Sequence, residues 1–127
     1  MLNFRFRPEP AMQKQQNVSL QLVQFRRQGE MGVLDWQLDY GKTQAEFESF
    51  ESWTVANRLE WVSPEGKATV LVDPEIRDLG MGRYRIRYRF DATFLPQDIN
   101  KWELVYRTPA RVYDVMVPVT LKNIPLP

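Results

Sequence analysis

The stretch from Gly82 to Phe90 constrains the fold of this chain more than any other part of the sequence. Four arginines alternate there with four large apolar residues, Arg83, Arg85, Arg87 and Arg89 with Tyr84, Ile86, Tyr88 and Phe90. Because successive side chains of a β-strand point to opposite faces, this alternation predicts a strand with one apolar face and one arginine face. A helix would scatter the same residues around its circumference and leave no buried stripe.

Length and composition indicate one domain spanning residues 1–127. The chain is 43% hydrophobic and 26% charged, and its four tryptophans, five tyrosines and seven phenylalanines favour a sheet. No apolar run approaches the length of about twenty residues that a membrane-spanning helix needs, so we expect no membrane insertion. The first residues lack the apolar core of a signal peptide, and a full-length chain of this kind is expected to be cytoplasmic.

Cysteine and histidine are both absent. Their absence excludes disulfides, thiolate zinc sites, His-ligated metals and the Cys-His and Ser-His-Asp forms of catalysis. A hydrolase would have to use paired carboxylates or a serine activated by a lysine. Ser49 and Ser52 have no lysine at a suitable spacing, whereas Glu46, Glu48 and Glu51 are close in sequence. A solvated charged face explains these three residues better than an active site, so we expect no catalytic activity and no small-molecule substrate.

Calcium binding was considered for four acidic residues in the second half of the chain, Asp73, Glu75, Asp78 and Asp91. They do not form the Asp-x-Asp-x-Asp-Gly pattern of a calcium loop. Their spacing is typical of helix caps and turns. We therefore expect neither a metal site nor a cofactor.

Alternating apolar residues predict most of the strands. They are expected at residues 2–7, 18–25, 34–40, 58–62, 68–72, 82–90, 102–106 and 112–121. The alternation after Val18 slips in phase at Val23, which predicts a β-bulge. The segment 63–67 has the proline and glycine of a tight turn, so the strands on either side of it should form a hairpin. Pro118 lacks a backbone donor, which places the last strand at a sheet edge.

Three segments are predicted to lie outside strands. Residues 13–17 are polar and are expected to form a loop. Residues 43–46 have the spacing of a helix capping box, and aromatic residues recur every three positions up to Trp53, which favours a short helical turn. In residues 73–80, Asp73 and Pro74 suit the start of a helical turn and Gly80 its end.

Short strands with turn signals about every ten residues predict an all-β, antiparallel sandwich of about seven to nine strands with at most one or two short helical turns. The segment from Asp78 to Tyr84 resembles the corner that leads into strand F of immunoglobulin-like domains. The hairpin around residues 63–67 and the segment 101–104 also resemble bacterial modules of that superfold. The resemblance covers about residues 58–106 and implies an immunoglobulin-like sandwich. This chain departs from the immunoglobulin-like pattern because it has no cysteine pair, a longer spacing from Gly80 to Tyr84 and a predicted extra strand after Tyr106.

The four arginines admit two interpretations. Side chains on one face of a strand are about 6.6 Å apart, so the arginines are able to follow a nucleic acid or sulfated glycan. Alternatively they face acids on neighbouring strands, such as Asp35, Asp39, Glu103 or the acids of residues 46–51, and form a charge ladder. The net charge of only +1 favours the ladder and argues against nucleic acid as a partner.

These patterns favour a noncatalytic interaction or structural module, such as an accessory domain that binds a protein partner or associates with itself. Trp36, Trp61 and Trp102 lie on alternating faces and are expected in the core. Trp53 is expected to be exposed, and it and the Pro118 strand are the predicted partner surface. Polyanion binding by the arginine strand is the first alternative, and carbohydrate binding by tryptophans is the second.

Overall fold

The computed structural model describes residues 2–41 and 57–108, which form nine β-strands and no helix. The strands are β1 (Leu2–Phe6), β2 (Ala11–Gln15), β3 (Val18–Gln28), β4 (Met31–Asp39), β5 (Arg58–Val62), β6 (Ala68–Leu71), β7 (Glu75–Gly80), β8 (Arg83–Asp91) and β9 (Glu103–Thr108). Within these residues, therefore, no helix is long and apolar enough to cross a membrane.

The strands form two antiparallel sheets that pack face to face. One sheet has four strands in the order β1-β9-β5-β6, and the other has five in the order β2-β3-β4-β8-β7. The prediction of an all-β antiparallel sandwich is confirmed. The immunoglobulin-like topology stays a prediction.

A single hydrophobic core lies between the two sheets. Each central strand contributes alternate residues, as in β4, where Leu34, Trp36 and Leu38 are almost completely buried. Ring contacts join the sheets, since Trp36 packs edge-on against Phe6 of β1 at a centroid distance of 5.2 Å. Full burial of one such side chain stabilises the fold by about 1.5–3 kcal/mol, so the alternating strands account for most of the driving force.

The predicted phase slip in β3 is confirmed as a β-bulge. Leu22 pairs with Trp36, whereas Gln24 pairs with Asp35, so Val23 is the extra residue. Because of this insertion, both Leu22 and Phe25 reach the core although they are three positions apart.

The hairpin between β5 and β6 is confirmed as well. The amide of Gly66 donates to the carbonyl of Ser63 at 2.8 Å, and Ser63 Oγ accepts a hydrogen bond from the amide of Lys67. Gly66 has a φ of +91°, which a residue with a side chain adopts only at a cost.

Two predictions for non-strand segments are wrong. Within the helical turn predicted at residues 73–80, Glu75 to Gly80 form strand β7, and within the loop predicted at residues 13–17, Gln13 to Gln15 belong to strand β2. Both are edge strands that bury little surface, so neither shows the apolar alternation that identifies a strand in sequence. Pairing with β8 and β3 supplies their backbone hydrogen bonds, and this tertiary contribution outweighs the capping signals at Asp73 and Gly80.

Several predictions lie outside the described residues. They are the helical turn at residues 43–53, the exposed Trp53, the acids Glu46, Glu48 and Glu51, and the last strand with Pro118. They stay predictions.

Candidate functional site

The arginines of β8 lie on the outer face of the five-stranded sheet. Tyr84, Ile86 and Tyr88 point inward and are at most 3% exposed, as the alternation predicts. Phe90 is half-buried at the end of the strand. The outer face of β8 is thus a continuous row of four guanidinium groups.

Arg87 belongs to a charge ladder. It lies directly opposite Asp35 of β4, and its Nε and Nη2 donate to the two carboxylate oxygens at 2.6 and 3.2 Å. Gln24 of β3 donates to the same carboxylate at 3.1 Å. Burial acts to raise the pKa of Asp35, but the hydrogen bonds from Arg87 and Gln24 outweigh it and hold this pKa below its ordinary value. The ladder interpretation is therefore correct for this arginine.

Arg83 and Arg89 differ from Arg87. Arg89 contacts Glu75 of β7 at 3.4 Å, and both side chains are more than half exposed, so salt screens this pair. Arg83 faces Asp39 in the register, but Asp39 accepts a hydrogen bond from the amide of Gly41. Within the described segments Arg83 forms no ion pair.

Arg85 has no acidic residue opposite it on either neighbouring strand, so it does not belong to the charge ladder. It lies opposite Gln37 on β4 and directly opposite Arg77 on β7. Neither Arg77 nor Arg85 forms an ion pair with any described residue. Like charges at directly opposite positions destabilise a strand pair, so this arrangement favours the approach of an anion.

A groove of about 460 Å³ lies over this pair of arginines. Its polar lining consists of Gln24, Asp35, Glu75, Arg77, Arg85 and Arg87. The bulged Val23 and the edge residue Ile76 add apolar surface to it. The groove therefore offers two unpaired guanidinium groups beside an apolar wall, a combination that suits a carboxylate or phosphate on a partly apolar ligand.

The positive charge of the chain is concentrated on this face. Among the described residues, the pairing register places seven basic side chains on the outer face, Lys14, Arg26, Arg77, Arg83, Arg85, Arg87 and Arg89, and four acidic ones, Asp35, Asp39, Glu75 and Asp91. This excess of three exceeds the net charge of +1 for the whole chain. The outer face of the five-stranded sheet is therefore basic although the net charge of the whole chain is close to zero.

The two lateral sides of the sandwich differ in how their edges are covered. On one side, the amide groups of Gln13 and Gln15 on β2 donate to the carbonyl oxygens of Arg5 and Asn3 on β1. These bonds satisfy acceptors that an added strand would otherwise use. The edge of β1 is therefore closed, and this role explains the polar residues Gln13 and Gln15 of β2.

On the opposite side, formed by β6 and β7, no other described strand covers the edge, which is called the open edge below. All six residues of β7 are exposed, and among the described strands β7 pairs with β8 alone. Apolar side chains surround this edge, with Val72 and Met81 more than 60% exposed and Ile76 and Leu79 nearly 40%. An exposed edge with apolar side chains is a template for pairing with another strand.

The tryptophans separate into core and surface residues. Trp36 and Trp61 are at most 1% exposed, which confirms that they are core residues and removes them as a platform for sugars. Trp102 is half-buried and borders a second groove of about 390 Å³ together with Pro64, Glu65, Pro96, Asp98 and Lys101. Carbohydrate binding thus stays a prediction for Trp102 and for Trp53.

A buried polar cluster closes one end of the sandwich, and the sequence did not reveal it. The hydroxyls of Tyr40 and Thr108 lie 2.7 Å apart, and Asn57 accepts from Thr108 and donates to the hydroxyl of Tyr106. Burial raises the pKa of Tyr40 and, more strongly, that of Tyr106. Burial also raises the pKa of the nearby Tyr88 to about 12. These hydroxyls are therefore protonated at neutral pH.

The acids considered for calcium do not converge. Across residues 2–41 and 57–108, no group of three or more acidic side chains is placed to hold a metal ion. Asp78 and Asp91 instead accept hydrogen bonds from nearby backbone amides, those of Gly80 and Thr93.

No family model, curated protein or solved structure matches this chain. The class of the protein therefore rests on its fold, an all-β antiparallel sandwich in which the described residues form a basic outer face and leave the edge at β7 open.

Proposed function

We propose that this protein is a noncatalytic interaction module that binds an extended segment as an additional strand beside β7. The contrast between its two lateral sides carries the proposal. Glutamine side chains of β2 close the edge of β1, whereas β7 leaves its outward backbone groups unpaired by any described strand. In strand addition, main-chain hydrogen bonds provide affinity and the alternating side chains provide specificity.

The side chains of β7 define the kind of segment that fits. Ile76 shares the inner face with its partner Ile86, and Arg77 shares the outer face with Arg85. A strand beside β7 therefore gains most from an apolar residue next to Ile76 and an acidic residue next to Arg77. We expect the preferred segments to alternate apolar and acidic residues.

Selection of short displayed peptides on the immobilised protein tests this proposal. Selected peptides are expected to alternate apolar and acidic residues, and Ile76→Lys is expected to weaken their binding by at least about tenfold, because a charge at this edge opposes pairing. Met12→Lys is the matched control, since Met12 is also exposed and apolar but lies on β2, at the opposite edge of the same sheet. Peptides whose binding is equally strong with Ile76→Lys would contradict strand addition at β7.

Anion binding on the basic face is a second candidate function. The observation that favours it is the unpaired Arg77 and Arg85 at the groove, beside an excess of three positive charges on the same face. Binding to phosphates or sulfates would release counterions and depend steeply on salt, whereas strand addition depends on salt weakly.

Fluorescence anisotropy with a labelled heparin fragment and a labelled single-stranded oligonucleotide distinguishes the two functions. If two anionic groups are neutralised, affinity is expected to fall about tenfold between about 50 and 200 mM salt. The double variant Arg77→Gln, Arg85→Gln should lose this binding. The double variant Lys67→Gln, Lys101→Gln removes the same charge from exposed sites away from this face and should keep it. Equal binding by both variants, or none by the wild type at low salt, would exclude the anion site.

A further inference from the structure

Strand β7 is complementary to itself. The sequence Glu75-Ile76-Arg77 reads acid, apolar, base, and its three residues are exposed at the open edge. If a second copy runs antiparallel about a twofold axis at Ile76, then Glu75 of each copy lies opposite Arg77 of the other. The two Ile76 side chains then lie opposite each other. Opposite charges at directly facing positions stabilise a strand pair.

We propose that a second copy of this chain occupies the open edge, with β7 paired antiparallel to β7 about Ile76, so that two five-stranded sheets become one continuous sheet. This inference rests on the proposed strand addition at β7 and names its partner. Such an interface is isologous, because each copy contributes the same surface.

The register follows from charge. Directly opposite residues of an antiparallel pair lie on the same face, whereas neighbouring residues of one strand lie on opposite faces. The twofold axis therefore passes at a residue and not between two residues, and the alternative centres are the other residues of β7. A centre at Glu75, Arg77 or Asp78 places two identical charges opposite each other. A centre at Leu79 or Gly80 coincides with the irregular pairing between Asp78 and Gly80. Among these centres Ile76 alone combines regular pairing with opposite charges.

The proposed pairing also relieves the unfavourable contact within one copy. Arg77 faces Arg85 and forms no ion pair with any described residue. In the dimer, Glu75 of the second copy lies next to Arg77, on the side away from Arg85. The pair of Glu75 with Arg89 in one copy is more than half exposed, so it leaves the Glu75 carboxylate accessible. Ile76, about 39% exposed in one copy, is covered by its counterpart.

Two charge-reversal variants test the register. Glu75→Arg places two arginine pairs across the interface, and Arg77→Glu places two glutamate pairs there. We expect each variant alone to raise the dimer dissociation constant by at least about tenfold. Mixed in equal amounts, they should form a heterodimer, because both cross-interface pairs then join opposite charges. Sedimentation velocity of the full chain over a concentration series measures all three samples.

Unfolding in urea shows whether the variants are folded, and both should be, because the changed side chains are exposed. Dimerisation of the wild type, loss in each variant and recovery on mixing support the proposal. A wild type that stays monomeric at all concentrations overturns it, as does a dimer that persists in both variants or no recovery on mixing. In those cases, peptide binding that is sensitive to Ile76→Lys would still support strand addition by a different partner, whereas loss of that sensitivity would remove the proposed function as well.

Discussion

Replacement of Trp61 by alanine is expected to lower the free energy of unfolding by about 3–5 kcal/mol. Trp61 is fully buried, and its ring contacts those of Phe25, Phe90 and Trp102 at centroid distances of 5.3 to 6.3 Å. A domain of this size has a total stability of about 5–15 kcal/mol, so the loss is a large fraction of it. Equilibrium unfolding in urea, followed by circular dichroism, measures the effect.

Two further variants, one at Trp61 and one at Trp102, test how much the packing of the Trp61 ring contributes. The indole Nε1 of Trp61 has no hydrogen-bond partner among the described residues, so Trp61→Phe removes ring volume without leaving a partner unpaired. We expect Trp61→Phe to cost clearly less than Trp61→Ala. Trp102→Ala is the control for loss of an aromatic ring at a half-buried position and should also cost less. A cost for Trp102→Ala equal to that of Trp61→Ala would contradict the central role assigned to Trp61.

Alkaline pH is expected to destabilise the fold through its buried tyrosines. Burial raises the pKa of Tyr88 from 10.0 to about 12, and it also raises the pKa of Tyr40 and Tyr106. A pKa raised by folding means that the native state favours the protonated hydroxyl. This stabilisation is complete below pH 10, the unfolded value, and is lost as the pH rises through the folded value. For Tyr88 alone the complete loss is about 2.7 kcal/mol, from two pKa units at about 1.36 kcal/mol each, and it is approached above pH 12.

Tyr88→Phe isolates this contribution. Desolvation is the one cause of the raised pKa at Tyr88, so phenylalanine at this position should leave stability at pH 7 nearly unchanged. As the pH rises from 10 through 12, the variant should become more stable than the wild type by an amount that approaches about 2.7 kcal/mol above pH 12. Urea unfolding at a series of pH values, with tyrosinate absorbance recorded in parallel, measures both quantities. If the stability difference between Tyr88→Phe and the wild type stays constant across this pH range, the pKa of Tyr88 is not raised in the folded protein.

Strands that are buried on one face were predictable from sequence. In β4 and β8, and in β3 on either side of its bulge, the burial of every second residue forces apolar residues into alternate positions. The edge strands β2 and β7 were missed because they bury little on either face. Gln13 and Gln15 resemble loop residues in sequence, yet their amides bind the backbone of β1.

The sequence predicted that the four arginines of β8 share one face, but it did not predict which acidic residues each arginine pairs with. Whether an arginine finds an acid depends on the register and on the neighbouring strands. Asp35 was recognised as a possible partner, and it binds Arg87. Arg77 was assigned to a helical turn, so its position opposite Arg85 could not be foreseen. The like-charged pair that marks the groove therefore emerged only from the fold.

The buried cluster at one end of the sandwich illustrates the same limit. Asn57 and Thr108 lie 51 positions apart, and their hydrogen bond of 2.7 Å exists because β9 returns beside β5. Local sequence contains no period or motif that encodes such a contact.

The sequence by itself determined that this chain forms alternating strands with an arginine face, and that histidine and cysteine chemistry is excluded. These properties follow from the residue types and from the period of two along a strand, which are local. The tertiary structure alone decided which edge is closed, which is open and which charges meet. Those properties depend on strand order and register, which are set by how two apolar faces pack together rather than by any one segment.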